Sequence, residues 1–256
     1  MTVDQPPWRR WLARARDILF PPQCAFCEEI LPSSRVPQGF CADCDKKLSW
    51  ITPPFCSRCG IPFGKLEETA QGNSHLCGEC IRHPPPYELA RTALRYESPV
   101  REAILSLKFS KRTDLTGALV FLLERTYAEM YHEGPVPSLL CPVPLHPSRL
   151  RERHFDQSAL LARKLGRRVG VPVQLDLLRR TRKTESQTGL ARPDRARNVR
   201  GAFEMNGTNA AEEKHVLLID DVLTTGATVG ECARVLLQEG KARRVDVLCI
   251  ARAVPE

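Results

Sequence analysis

The stretch that decides the fold reads VLLIDDVLTTGATV and spans residues 216–229. Four apolar residues lead directly into Asp220 and Asp221, and a small, hydroxyl-rich turn containing Gly226 follows. The apolar run over 215–219 predicts a buried strand, and the segment 227–239, which ends at Gly240, predicts a helix. The stretch therefore predicts a strand–turn–helix unit that carries two adjacent carboxylates where the strand ends.

The predicted turn suits a phosphate that lies beside sugar hydroxyls. The first N–H groups of a helix have no internal partner, and the helix dipole adds partial positive charge there. Two carboxylates repel a bare phosphate, but Asp220 and Asp221 suit the 2′ and 3′ hydroxyls of a ribose 5-phosphate. The turn fits neither the Walker A nor the dinucleotide-binding pattern. The predicted phosphate-binding residues are Thr224, Thr225, Gly226, Ala227 and Thr228.

The last two thirds of the chain alternate strand and helix patterns, which predicts an α/β fold with a parallel sheet. Ligands of such sheets bind at the carboxyl ends of the strands. The polar, basic residues 182–200 predict a long exposed loop of the kind that forms lids. Strands are predicted over 89–96, 138–143, 173–178, 215–219 and 244–251. Helices are predicted over 99–108, 114–131 and 227–239, with one more from a cap at Asp156 or Ser158 to Gly170.

Eight of the eleven cysteines form four CxxC pairs, separated by 13, 11 and 17 residues. Two such pairs complete one four-cysteine zinc site, so the pattern predicts two sites. With every position filled by protein, both ions are structural. A sequential pairing is the simplest, and an interleaved one stays open, as do an iron–sulfur cluster and a disulfide framework. The predicted ligands are Cys24, Cys27, Cys41, Cys44, Cys56, Cys59, Cys77 and Cys80.

The chain divides into an amphipathic N-terminal helix (1–20), a cysteine-rich module (21–85) and an α/β domain (86–256). The second boundary lies within the triple proline at 84–86, which stops any helix. The N-terminal helix either docks on its own protein or lies on the inner face of a membrane. The chain has no spanning run of eighteen apolar residues and no secretory signal, which favours the cytoplasm. The three remaining cysteines, Cys141, Cys232 and Cys249, are predicted to be buried.

Positive charge is concentrated in one segment. The net charge is +8, and residues 149–200 hold fifteen Lys and Arg against five Asp and Glu. This surplus indicates either a solvated basic face or a site for phosphate or nucleic acid. Aromatic residues are scarce among these basic residues, with Phe155 alone, so a stacking platform for single strands is not evident.

Residues 216–228 match the phosphoribosyl pyrophosphate (PRPP) loop of type I phosphoribosyltransferases, and the chain as a whole resembles the ComF family of competence-associated proteins. The shared pieces are FPPQCAFC, the four CxxC pairs, LKF with Lys108, PVPLHPSRLRERHFDQS and TESQTGLARPDRARNVRGAF. The resemblance implies a phosphoribosyltransferase-like parallel sheet flanked by helices and preceded by a zinc-ribbon module. Family members usually have Arg-Gly-Phe-Asn-Gln over 153–157, where this chain has His154 and Asp156.

The resemblance implies a protein that binds PRPP with Mg²⁺ and transfers ribose 5-phosphate to an acceptor that the sequence does not name. Asp220 and Asp221 are the candidate catalytic residues, because they suit the ribose hydroxyls and the positive charge that develops on the sugar. The candidate diphosphate-binding residues are Val143, Pro144 and Leu145, in a turn that the resemblance places right after the strand at 138–142, with Arg149, Arg153 and Lys108. On the basic loop, Lys183, Gln187, Arg192, Arg195 and Asn198 are weaker candidates, each as well explained as a surface residue.

Two further roles remain open. The resemblance implies action in DNA uptake on the cytoplasmic side, where the pocket is a sensor and the partners are single-stranded DNA and a competence helicase. The second role is that of a scaffold, which docks a partner protein or a membrane through residues 1–85. The zinc module is also the candidate hood over the acceptor. The histidines His146 and His154 are weak candidates for acid–base roles, because this chemistry asks little of a general base.

Overall fold

A computed structural model describes residues 21–32, 38–63, 75–184, 192–207 and 209–254. The predicted N-terminal helix over 1–20 and the candidate Gln187 lie outside these ranges. So do the side chains of Arg192 and Arg195.

A four-stranded parallel sheet forms the centre of the structure, with the strand order β1-β6-β5-β2. Two further strands, β3 and β4, pair antiparallel beside it. The six strands are β1 (Ala90–Arg95), β2 (Leu139–Pro142), β3 (Leu178–Arg180), β4 (Phe203–Met205), β5 (His215–Leu223) and β6 (Arg244–Arg252).

Eight α-helices are found in the described part of the chain. Two short ones, α1 and α2, belong to the cysteine-rich module, and the others surround the sheet. They are α1 (Ala42–Lys46), α2 (Gly78–Arg82), α3 (Val100–Phe109), α4 (Thr116–Met130), α5 (Pro147–Arg153), α6 (Gln157–Val169), α7 (Arg192–Val199) and α8 (Ala227–Gln238).

Side chains alternate between two apolar cores, one on each face of the sheet. In β5, Leu217 and Ile219 join the core that contains α3, α4 and α6. Val216 and Leu218 join the core that contains α8. Strands buried on both faces are near-continuous apolar runs, which is the pattern seen in the sequence. The predicted burial of Cys141, Cys232 and Cys249 is confirmed, since each is 0% exposed.

The carboxyl ends of β2 and β5 mark the place where the chain changes faces. The segment after β2 leads into α6, which packs on β2 and β5, whereas β5 leads into α8 in the opposite core. Neighbouring strands whose following helices lie on opposite faces leave a crevice between their ends. The fold therefore opens a cleft between residues 143–145 and the turn at 224–226.

Three of the predicted boundaries differ from the structure. Residues 173–178 are not a strand: Val173 makes one bridge to Leu140, and the strand begins at Leu178. The predicted loop at 182–200 contains α7. The strand predicted at 215–219 runs on to Leu223, because the backbone pairs with β6 through Asp220 and Val222 despite the polar side chains.

The cysteine-rich module repeats one small unit twice. In each, an antiparallel bridge closes a knuckle, Gln23 with Ile30 and Phe55 with Pro62. A short helix then begins at a cysteine N-cap, Cys41 for α1 and Cys77 for α2. The module lies along the edge of the sheet, where Ile51 N donates to Ala93 O of β1 at 3.0 Å.

A buried polar network closes the amino-terminal end of β5 and β6. Asp246, 0% exposed, lies with its Oδ2 atom 2.6 Å from His215 Nε2, and it accepts a hydrogen bond from the Tyr131 hydroxyl at 2.9 Å. Arg244 Nε donates to the same carboxylate at 3.1 Å. Burial works to raise the pKa of Asp246, but the hydrogen bonds from His215 and Arg244 outweigh it and lower that pKa.

We expect Asp246→Ala to lower the free energy of unfolding by about 3 kcal/mol, because it leaves buried donors without their acceptor. A depressed carboxyl pKa contributes stability above its unfolded value of about 3.9, and this is lost as pH falls through the folded pKa. The difference between wild type and variant should therefore shrink below about pH 4. Urea denaturation from pH 7 to 3 measures both effects. The control Glu212→Gln removes a partly exposed ion pair with Lys241 and should cost about 0.5 kcal/mol or less. Equal losses in both variants would contradict the account.

Candidate functional site

A cavity of about 350 Å³ opens at the carboxyl ends of β2 and β5. Eleven of the thirteen candidate residues for PRPP binding line it, from four separate parts of the chain. Thr225 and Ala227 do not; they line a second cavity on the other side of the turn. The eleven are Lys108, Val143, Pro144, Leu145, Arg149, Arg153, Asp220, Asp221, Thr224, Gly226 and Thr228.

The two adjacent carboxylates are held by different partners, which come from two helices of the same core. Asp221, which is buried, forms an ion pair with Lys108 of α3, with Nζ 2.8 Å from Oδ2. Asp220 accepts hydrogen bonds from the Ser158 hydroxyl at 3.0 Å and from Asp221 N at 2.9 Å. Asp221 is therefore held by a positively charged side chain, and Asp220 is held by neutral hydrogen-bond donors.

Burial and the neighbouring Asp221 raise the pKa of Asp220 to about 7. For Lys108, burial acts to lower the pKa, but the attraction of Asp221 outweighs it and raises the pKa above its ordinary value. Lys108 is therefore charged at neutral pH, while Asp220 is close to half protonated. A ligand that donates hydrogen bonds to both carboxylates favours the charged form of Asp220.

The turn after β5 is shaped for close approach of a ligand. Gly226 adopts φ 82° as the N-cap of α8, a left-handed conformation in which a side chain is strained. A Cβ at this position would also lie 3.3 Å from the Tyr87 hydroxyl. The helix starts at Ala227, so its first N–H groups and its partial positive charge are at the turn. The turn can hold an oxyanion such as a phosphate.

The turn after β2 is fixed by Asp156. Its carboxylate caps α6 by accepting from Ala159 N at 3.0 Å, and it also accepts from Leu145 N at 3.1 Å. The acid that departs from the family pattern therefore ties the turn at 143–145 to α6 and uses the N–H of Leu145. The other departure, His154, keeps the left-handed conformation with φ 66° at the end of α5. Histidine is among the residues that adopt this conformation more often than most.

Neither candidate histidine lines the cavity. His146 is the N-cap of α5, and its Nδ1 accepts a hydrogen bond from Ser148 N at 3.2 Å. His154 ends that helix. Both have structural positions that account for them.

Three arginines among the lining residues, Arg149, Arg153 and Arg180, form the basic wall of the cavity. Arg149 and Arg153 belong to α5, and Arg153 lies over the ring of Phe109 at 5.0 Å. Arg180 of β3 was missed by the sequence analysis. It is 8% exposed, lies over the Phe203 ring at 5.1 Å, and donates to the Thr184 hydroxyl.

Arg180 carries a charge that the described residues do not neutralise. Its Nε is buried and has no hydrogen-bond partner among them. Burial lowers the pKa of Arg180, and repulsion from Arg149 lowers it further. A buried cation of this kind costs free energy unless an anion joins it. The signal in the sequence was weak, because Arg179-Arg180 sits among many arginines.

The remaining cavity residues were also missed as site residues. Tyr96, Leu105 and the exposed Phe109 supply an apolar wall beside Lys108. Gln157 and Ser158 begin α6 and belong to a stretch quoted for the family resemblance, which was the available signal. The basic-loop candidates Lys183 and Asn198 are not among the residues that line the cavity.

The eight paired cysteines form two sets in sequential order, Cys24, Cys27, Cys41, Cys44 and Cys56, Cys59, Cys77, Cys80. In each set the Sγ atoms lie within 4.8 Å of one another, and none forms a disulfide. Cys27 and Cys41 are 3.7 Å apart at sulfur, as are Cys59 and Cys77. Sulfurs around a tetrahedral zinc ion with bonds of about 2.3 Å lie about 3.8 Å apart, so both sets fit zinc.

The cysteine-rich module lies close to residues 224–228, the candidate phosphate turn. Cys59 and Cys80 of the second set line the cavity of about 650 Å³ that Thr225 and Ala227 also line. No described residue of 21–85 lines the cavity of about 350 Å³, so the expected hood over the acceptor stays a prediction. No helix in the described part of the chain has the length and apolar character needed to cross a membrane.

Two family models match the chain. The double zinc ribbon domain matches residues 15–84, and the phosphoribosyl transferase domain matches residues 156–254. Among solved structures, a crystal structure of adenine phosphoribosyltransferase aligns with 58% of this chain and 75% of its own chain, with 13% sequence identity and a TM-score of 0.37. A likeness of that size has no weight of its own beside the sequence relationship.

Among curated relatives, DNA utilization protein YhgH of Escherichia coli (strain K12) is 33% identical over 237 residues, or 91% of this chain and 98% of that protein. Competence protein F of Haemophilus influenzae is 30% identical over 234 residues, or 90% and 97%. Competence protein ComFC of Bacillus subtilis is 29% identical over 220 residues, or 83% and 84%. With these identities over nearly the whole length, and with a double zinc ribbon before a phosphoribosyltransferase domain, the chain belongs to the ComF family.

Proposed function

We propose that the cavity binds PRPP with Mg²⁺ and that the protein transfers ribose 5-phosphate from it to an acceptor. The observation that supports this most is the meeting, in one cavity, of an acid pair, the turn at 224–228 and the basic wall. In this proposal Asp220 and Asp221 accept from the ribose hydroxyls, and Thr224 to Thr228 hold the 5′-phosphate. The wall of Arg149, Arg153 and Arg180 faces the diphosphate.

The reaction breaks the bond between the anomeric carbon and the diphosphate oxygen, and the diphosphate leaves with the electron pair. A lone pair on the acceptor then forms the new bond to that carbon. Positive charge on the sugar is stabilised by the carboxylates, and negative charge on the leaving group by the arginines. When bound, Mg²⁺ adds positive charge against the leaving diphosphate, and Asp220 and Asp221 offer it the oxygen ligands that it prefers.

The double variant Asp220→Asn with Asp221→Asn tests the proposal. We expect it to bind PRPP on the order of 100-fold more weakly, because two charge-assisted hydrogen bonds are lost at about 1.5 kcal/mol or more each. Calorimetric titration of zinc-loaded protein in the presence of Mg²⁺ measures this. The matched control Asp43→Asn with Asp45→Asn makes the same chemical change on α1, away from the cavity, and should bind as the wild type does. Undiminished affinity in the first variant would rule out the carboxylate assignment.

Arg180→Met should weaken PRPP binding by about 10- to 100-fold and leave ribose 5-phosphate binding within about twofold, because only the former carries a diphosphate. Arg179→Met is the matched control: Arg179 is the preceding residue of β3, exposed and paired with Glu204 on the opposite side of the strand. Calorimetry with the two ligands compares the variants. If both ligands lose affinity equally, Arg180 does not serve the diphosphate.

Binding of ribose 5-phosphate should weaken as the pH falls through about 7, because Asp220 then takes up a proton and loses the charge that attracts the hydroxyls. The affinity should be flat above this range and fall by up to tenfold per pH unit below it. The ligand phosphate also titrates, but near pH 6. Asp220→Asn should therefore follow only that lower transition. Identical pH profiles for wild type and variant would remove Asp220 from the titration.

A second candidate function is binding of single-stranded DNA, favoured by exposed Arg151, Arg163 and Arg167 on α5 and α6. The relatives named for competence and DNA utilization support a role in DNA uptake. In this candidate function, residues 21–85 form the zinc module, and the cavity in residues 86–256 serves as a sensor for its phosphoribosyl ligand. A competence helicase is the protein partner. The acid-pair variant separates the two: DNA binding that is salt-sensitive and survives the double substitution favours this candidate.

A further inference from the structure

The second cysteine cluster (Cys56, Cys59, Cys77 and Cys80) is joined tightly to the start of β1. Ala90 N donates to Arg58 O at 2.6 Å, and Arg91 Nη2 donates to Ser57 O at 3.0 Å. Gly60 has φ 70°, and a Cβ there would lie 2.6 Å from Ala90 O. The knuckle at 57–60 therefore sits against the sheet backbone with no room for a side chain.

Arg252, the last residue of β6, reaches this cluster from inside the α/β domain. It is 5% exposed, its Nη1 donates to Cys59 O at 2.6 Å, and its Nη2 lies 3.8 Å from Cys59 Sγ. Four thiolates around a divalent zinc ion carry a net charge of about −2. A buried anionic group of this kind needs a cation beside it, and the guanidinium of Arg252 is placed to supply one.

The same arginine also lies next to the phosphate turn. Arg252 pairs with Leu223 in the β5–β6 register, and Ala253 N donates to Leu223 O at 3.0 Å. Leu223 is buried, lines the proposed ligand cavity and directly precedes Thr224. Arg252 also lines the cavity of about 650 Å³ together with Cys59 and Cys80 of the cluster and with Thr225, Gly226 and Ala227 of the turn.

The first cluster (Cys24, Cys27, Cys41 and Cys44) has a different environment. Cys27 is exposed, and its Sγ lies 3.7 Å from the carboxylate of Glu29. Its aromatic neighbour Phe40 packs on Phe121 of α4, with ring centroids 6.0 Å apart, in the core opposite to the one that contains α8. Water screens the charge of this cluster, so it does not require a buried cation.

We propose that Arg252 is a positioning residue that couples the second cysteine cluster to the phosphate turn. Zinc in the second cluster fixes Cys59 and with it Arg252, and Arg252 fixes the end of β5 from which the turn departs. By linkage, a ligand on the turn then holds zinc in the second cluster more firmly, and zinc there tightens ligand binding by the same factor. The part that concerns the ligand rests on the proposed function, whereas the part that concerns zinc does not.

The test is the rate at which the full-length, zinc-loaded protein releases zinc to a chromogenic chelator, with and without saturating ribose 5-phosphate. We expect two phases, one ion leaving quickly and one slowly, and Cys27→Ser should remove the fast phase. Arg252→Gln should speed the slow phase at least tenfold and leave the fast one unchanged. Saturating ribose 5-phosphate should lower the rate of the slow phase in the wild type and leave that rate unchanged in Arg252→Gln.

Two controls separate a specific effect from general damage. Arg95→Gln changes the cross-strand neighbour of Arg252 on β1 and should leave both phases unchanged. Arg252→Lys keeps the charge and should restore most of the slow phase, which a variant that merely misfolds would not do. Unchanged zinc release from Arg252→Gln, or equal slowing of both phases by the ligand, would overturn the inference. Absence of ribose 5-phosphate binding to the wild type in calorimetry would instead overturn the proposed function and the ligand half of the coupling.

Discussion

Asp220 and Asp221 are adjacent residues of the largely buried strand β5, and the rest of the site depends on how the fold stabilises these two carboxylates. Two carboxylates so close repel each other, and burial penalises the charge of both. Lys108 of α3 forms an ion pair with Asp221, and the Ser158 hydroxyl of α6 donates a hydrogen bond to Asp220. The helices that cover β5 therefore do more than bury apolar surface, because each also contributes one polar group to the acid pair. A fold that accepts such a cost at one strand end is typical of a binding site.

The carboxylates have value only beside groups of the opposite charge, and the topology supplies these. The change of faces between β2 and β5 opens a crevice, and the first turn of α8 and the arginines of α5 and β3 border it. Negative charge at the sugar end and positive charge at both phosphate ends match the charge pattern of a phosphorylated sugar with a diphosphate. Arg180, buried and without a carboxylate ion pair among the described residues, fits this pattern as a preorganised group that a ligand would complete.

Much of this was accessible from the sequence. The apolar run at 216–219 and the CxxC pairs are local, redundant signals. The first predicted β5, and the second predicted two groups of four cysteines, which the structure brings together. The failures came from contacts between distant segments. No local motif marks Arg180, because only the position of β3 in the fold brings this residue to the cavity. The strand predicted at 173–178 was wrong because most of its apolar residues pack into the cores, and only its last residue forms a ladder with another strand. The helix α5 was overlooked since Pro147 opens it with few apolar residues, although proline suits a first helical position.

The cysteine-rich module contacts the α/β domain through hydrogen bonds to the backbone of β1, in addition to the chain connection after α2. The claim at the centre of this account is that the cavity receives a phosphoribosyl group in one orientation. A crystal structure of the zinc-loaded protein with PRPP and Mg²⁺ tests it most directly. The account predicts the 5′-phosphate within hydrogen-bond distance of residues 224–228, the ribose hydroxyls on Asp220 and Asp221, and the diphosphate beside Arg180. A ligand bound elsewhere, or in the reverse orientation with its diphosphate on the turn, would contradict it.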